Sequence, residues 1–142
     1  MRAAARGISR RRGVLVTLGA GWVGYGALGI LINPRQGTTA LLGDITRWVP
    51  MTVLGWLWVA AGAVGVVAGL AVSCPRIQAA GYASLATLAG LWAAAFTLAV
   101  SDTPTASGSA CIWVAIAVAV VLVAGMDDPL PPHMRKGHST WT

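Results

Sequence analysis

Charge is what this sequence lacks. Only 14 of its 142 residues carry a formal charge, ten basic and four acidic, against a hydrophobic share of 56% and a mean hydropathy of +0.72. A soluble domain carries about 25% charged residues because they cover its water-facing surface. Fourteen charges cannot solubilise the chain, and a soluble globular class is excluded. The four aspartates, Asp44, Asp102, Asp127 and Asp128, are too dispersed to form an acid–base pair. His133 and His138 stand in a proline-containing tail without a cysteine nearby, and a metal site needs a convergent ligand set. There is no phosphate loop, nucleophile elbow or metalloprotease helix motif. The sequence therefore predicts no enzyme, no cofactor and no metal centre.

Ionisable residues are absent from four long runs: 14–32, 51–73, 79–100 and 110–126. At 1.5 Å per residue, the first two make about 28 and 34 Å of helix, enough for a hydrocarbon core of about 30 Å. The fourth has 17 residues and must borrow from its flanks. Four such runs leave no amphipathic layer to cover them. The expected fold is all-α, an integral membrane bundle of four transmembrane helices, with the lipid bilayer as solvent. Ion- and proton-coupled transporters keep an ionisable group inside the membrane, and these runs have none. Their hydroxyls (Thr17, Thr52, Ser84, Thr87, Thr97) can bond to a carbonyl one turn away and need no further role.

The cysteines, Cys74 and Cys111, fall at opposite ends of the expected bundle, about 30 Å apart. A disulfide needs Cα atoms within about 7 Å, so none is expected within the chain.

The net charge of +6 would suggest nucleic acid in a soluble protein. Here its distribution points to the membrane instead, and no nucleic-acid partner is expected. Arg2, Arg6, Arg10, Arg11 and Arg12 precede the first run, Arg76 stands in the second connection, and Arg135 and Lys136 are in the tail. That places eight basic residues on one side and two, Arg35 and Arg47, on the other. The positive-inside rule then puts both termini in the cytoplasm, in a multi-pass protein of the cytoplasmic (inner) membrane. Arg10, Arg11 and Arg12 are read as topology determinants. Ser9 followed by three arginines also resembles a twin-arginine export signal. The long first run and the lack of a small-residue cleavage site favour an uncleaved span. The expected layout is a basic leader at 1–13, a membrane domain at 14–126 and a disordered cytoplasmic tail at 127–142.

The first outer connection is the richest. Asn33-Pro34 stops the first helix, and Gln36-Gly37 reads as a turn. Leu41, Leu42, Ile45, Trp48 and Val49 then fall on one helical face, which predicts a short interfacial helix with Trp48 at headgroup depth. An ordered loop packed on the bundle is the alternative.

Small residues recur every fourth position: Ala61, Gly65, Gly69 and Ser73 on the second span, Thr17 and Gly21 on the first, and Ala86, Gly90 and Ala94 on the third. Small side chains let membrane helices approach closely. Packing within one bundle is the plainer reading of the second-span stripe, and self-association is the alternative. Trp48, Trp56, Trp58, Trp92 and Trp113 lean toward the outer side. Tryptophan prefers the headgroup zone, so they are expected to form an anchoring belt, with Trp48 and Trp113 as its interfacial anchors.

The Ala-, Gly-, Val- and Arg-rich composition looks like that of a GC-rich genome. Trp22 with Tyr25-Gly26, the turn from Asn33 to Gly37, and Gly55-Trp56-Leu57-Trp58 with Ala61-Gly62 resemble small four-span membrane proteins of unassigned role from actinobacteria and their phages. The resemblance covers roughly residues 10 to 70 and implies a membrane protein without carrying over any functional residue. Three functions are expected, in order: an accessory or scaffold acting through helix packing, alone or with another membrane protein; a phage holin-like permeabilising protein, which this chain resembles in its shortness, its few membrane charges and its basic tail; and a small transporter or channel.

Overall fold

The computed structural model describes residues 10–33, 47–71 and 74–126. Among them are four helices, each long and apolar enough to cross a membrane: α1 (Arg10–Ile32), α2 (Met51–Leu70), α3 (Pro75–Ala99) and α4 (Ala106–Gly125). No strand occurs among the described residues. The chain is an all-α, four-helix bundle built as a multi-pass membrane protein. Most of the expected interfacial helix, the first nine residues of the leader, the tail and Ser73 lie outside the described residues. Arg47 and Trp48 are described and occupy a turn before α2.

Helix ends differ from the apolar runs for identifiable reasons. The first helix already includes Arg10 to Gly13, inside the expected leader, where Arg11 and Arg12 reach neighbouring helices. The third starts at Pro75, four residues before its apolar run, where the missing proline N–H costs nothing and its fixed φ suits a first helical position. The fourth gains Ala106 to Ser109 and reaches 20 residues, enough to span. Within α1, Tyr25–Ile32 winds more loosely, as a π-helix. The Asn33 N–H continues that pairing onto the Leu28 carbonyl, at 3.2 Å.

One rule describes the interior. Buried residues recur at steps of three and four: Leu15, Gly19, Trp22, Gly26 and Ile30 on α1, where the last step, inside the π-helical segment, is four instead of three, and Gly55, Trp58, Gly62, Gly65 and Gly69 on α2, where the steps alternate strictly. The same steps connect Tyr82, Leu85, Ala89, Trp92 and Phe96 on α3. On α4 they connect Ala106, Ala110, Trp113, Ala117, Val120 and Ala124, some only half-buried. A repeat averaging 3.5 residues keeps one seam facing inward only if the helices wind around each other with a left-handed twist. Consecutive helices run antiparallel, since Gly19 meets Gly62 while Gly26 meets Gly55, and Gly65 meets Leu85 while Ala68 meets Gly81. The pairs α1–α2, α2–α3 and α3–α4 pack along their lengths. By contrast, α1 and α4 meet through side chains at two places, Trp22 and Tyr25 against Trp113 midway along α1 and Arg11 against the Ala124 carbonyl at one end.

Candidate functional site

Three features of the interior are built from these seams. The first is a line of backbone contacts between α1 and α2. A Cβ placed on Gly19 would lie 2.7 Å from both the Gly62 carbonyl oxygen and the Val66 nitrogen. One on Gly62 would lie 2.5 Å from the Gly19 oxygen and 2.6 Å from the Val23 nitrogen. One on Gly26 would lie 2.7 Å from the Trp58 Cβ and 2.8 Å from the Gly55 oxygen. Here glycine is required by proximity. Lipid tails are as apolar as the side chains, so membrane helices associate through dispersion at close range rather than through burial from water.

The second-span stripe read from the sequence takes part in this seam. Gly69 faces Val16 and the Arg12 carbonyl, and Gly65 faces Leu85 and the Gly19 Cα. Ala61 is half-buried, with its carbonyl 3.4 Å from the Ser84 hydroxyl. The closest approaches to backbone are at Gly19, Gly26 and Gly62; Gly19 and Gly26 stand seven residues apart on α1, as do Gly55 and Gly62 on α2, a spacing that the four-residue search did not select. The shorter stripes do not pack as expected: a Cβ on Gly21 or Gly90 would meet nothing within 4 Å.

The second feature is an aromatic cluster centred on Trp58, whose ring centroid lies 5.3 Å from Trp22, 4.9 Å from Tyr25, 5.4 Å from Trp92 and 5.2 Å from Trp113. Phe96 extends it from Trp92 at 6.5 Å. The tilted and edge-on geometries suit the ring quadrupoles. This corrects the belt expected for all five tryptophans. Trp58 is 1% and Trp92 4% exposed, and both belong to the core. Trp113 is half-buried, with its ring turned toward Trp22, Tyr25 and Trp58. Trp48 and Trp56 stay outside, at 88% and 61% exposure. The indole N–H groups of Trp22, Trp58 and Trp92 are buried without a hydrogen-bond acceptor among the described residues. Packing between the rings therefore has to offset three unmet donors.

The third feature lies where α1 begins and α2 and α4 end. The final carbonyls of a helix have no partner of their own, and a cation there is favoured by the helix dipole. Arg12 supplies both for α2: its Nε donates to the Gly69 carbonyl at 2.9 Å and a terminal nitrogen donates to Leu70 at 3.2 Å. Arg11 does the same for α4, donating to the Ala124 carbonyl at 2.8 Å. Its guanidinium carbon lies 5.6 Å from the centroid of the Tyr82 ring, a cation–π arrangement. The Tyr82 hydroxyl in turn donates to the Arg11 carbonyl at 2.7 Å. Of the three arginines read from the sequence as topology signals, Arg11 and Arg12 cap helices, while Arg10 is exposed. Composition gave no sign of this role, because the carbonyls they meet are more than fifty residues away.

The remaining polar groups serve the helices. The Thr97 hydroxyl donates to the Ala93 carbonyl at 2.7 Å and Ser84 to Gly81 at 2.8 Å. Cys74 and Cys111 are free thiols. Among the described residues no group of three metal-ligating side chains converges. No protein-family model, no curated protein and no solved structure matches this chain.

Proposed function

We propose that this protein is a membrane-resident accessory or scaffold, without enzymatic chemistry, that acts through helix packing in the cytoplasmic membrane with both termini in the cytoplasm. The observation that carries this reading is the glycine seam. Gly19, Gly26, Gly62, Gly65 and Gly69, the residues best suited to lateral association, are used inside the chain, holding α1 to α2 and α2 to α3. A holin-like protein would have to associate through outward small residues such as Gly21 and Gly90, which pack against no described residue within the chain. A channel or transporter would need a polar path, whereas the region around Trp58 is filled with rings. The outward faces carry large apolar side chains such as Val67, Leu91, Leu98, Ile112 and Leu122, suited to lipid or to a second membrane protein.

The test is induced expression in a bacterial host while following membrane potential and dye entry, together with in-membrane crosslinking. The potential should hold at high expression, and crosslinking should give one discrete adduct with another membrane protein. Abrupt depolarisation and dye entry would overturn the reading in favour of lesion formation. Substrate-dependent flux with the potential otherwise intact would overturn it in favour of a transporter.

A further inference from the structure

Between α1 and α4 the bundle is open. A lateral groove of about 600 Å³ runs between the two helices, walled by Leu18 and its neighbours on one side and by Ile116, Ala119 and Val123 on the other. Both ends are fixed. At one end Trp113 closes on Trp22 and Tyr25, with centroids 6.3 and 5.8 Å apart. At the other, Arg11 ties α1 to the end of α4 through the Ala124 carbonyl. From Arg10 to Leu18, the lining extends over eight helical steps, about 12 Å at 1.5 Å per residue. That is close to one leaflet of a hydrocarbon core of about 30 Å.

Among the described residues, only one charged group lines the groove. Arg10 stands at the arginine end, exposed, with no hydrogen bond or ion pair to any described residue. Every other described lining residue is apolar except Thr17. Arg11, Arg12 and Arg76 belong to the same end of the bundle, and no acidic residue is described there. Asp127 and Asp128 follow α4 in the sequence and lie outside the described residues. An apolar channel one leaflet deep, with a guanidinium at headgroup level, matches an acyl chain joined to a phosphate. Arginine suits the phosphate through its planar array of donors.

We infer that the α1–α4 groove is a binding site for one anionic glycerophospholipid of the leaflet that surrounds the arginine end, with an acyl chain between Leu18 and Ala119 and the phosphate at Arg10. A neutral-headgroup lipid would gain the channel but not the charge. A second copy of the chain would have to insert an apolar helix face beside an exposed cation.

The full-length protein, reconstituted in phosphatidylcholine vesicles, is photolabelled with phosphatidylglycerol bearing a diazirine in its acyl chain, and the adducts are mapped. Labelling should concentrate on 14–18 and 116–123 and be displaced by unlabelled phosphatidylglycerol but not by phosphatidylcholine. Arg10→Gln should weaken labelling about fivefold, the effect of one basic residue near a membrane surface. Ala119→Phe fills the groove from an exposed position and should abolish labelling there while the near-ultraviolet signal of the tryptophan cluster is kept. Arg47→Gln, at the opposite end, should change nothing. Equal displacement by both lipids, or labelling indifferent to Arg10→Gln and Ala119→Phe, would overturn the site. Crosslinking of two chains through the groove in place of lipid labelling would overturn it in favour of self-association.

Discussion

Gly19 and Gly62 lie backbone against backbone: a Cβ on either would come within 2.5 to 2.7 Å of the other residue's carbonyl oxygen. No rotamer change relieves such a contact, because both the new atom and the oxygen are fixed to their helices. Gly62→Ala should therefore force α1 and α2 apart and destabilise the bundle by about 1–3 kcal/mol, the usual range for overpacking. Gly90→Ala meets nothing and should be neutral or stabilising by up to about 1 kcal/mol through helix propensity. Denaturant titration of the two variants in mixed micelles checks the contrast.

Along the second-span stripe, the expected order of damage is graded. At Gly69 a Cβ would fall 2.9 Å from the Arg12 oxygen and 3.0 Å from the Val16 nitrogen, both backbone atoms. At Gly65 its nearest neighbours are the Leu85 methyls, at 3.2 and 3.3 Å, which can move. Gly69→Ala should therefore cost clearly more than Gly65→Ala, with neither variant changing oligomeric state. A dimer lost on either substitution, with the monomer still folded, would assign the stripe to self-association.

Arg12→Gln removes the cation that caps α2 and should cost about 1 kcal/mol, a typical figure for a charge at a helix end. Hydrogen exchange should rise in the last turn of α2 before it rises elsewhere. Uniform acceleration across the chain would mean that Arg12 supports the whole bundle rather than that end.

Trp58→Ala leaves the largest hole available in this core and should cost about 3 kcal/mol or more. Trp58→Phe keeps a ring and removes one unmet donor, so its cost should be much smaller. Trp56→Ala, on the outward face, should stay within about 0.5 kcal/mol. Thermal unfolding followed in the near ultraviolet separates the three.

Orientation has its own check. In a variant lacking both native cysteines, Ser101→Cys should react with a membrane-impermeant thiol reagent in intact cells, because the proposed topology puts its connection outside. Cys74 as the sole thiol should react only after the membrane is opened. The reverse pattern would invert the topology.

The four spans were legible because ionisable residues are excluded from hydrocarbon, and their absence leaves a mark in a linear sequence. What held the spans together was less legible, for a geometric reason. Ala61, Gly65, Gly69 and Ser73 stand out on one helix taken alone, whereas Gly62 matters only because Gly19 faces it. The alternating three-and-four spacing of Gly55, Trp58, Gly62, Gly65 and Gly69 was the available signal, and the same spacing assigns Trp58 to the interior. Reading tryptophan by its headgroup preference placed Trp58 and Trp92 in a belt, although each sits at an inward heptad position. Arg11 and Arg12 cap helices, and in the sequence only their charge can be seen, not the partner carbonyls.

The central claim is that α1 and α2 close on each other within one chain through facing glycines. A double-mutant cycle on Gly19→Ala and Gly62→Ala, read by denaturant unfolding of the monomer, tests it directly. Once one methyl has separated the helices, the second finds space already made, so the double variant should lose far less stability than the two single losses added. Simple additivity of the two losses would mean that Gly19 and Gly62 do not meet, and the seam would have to be abandoned.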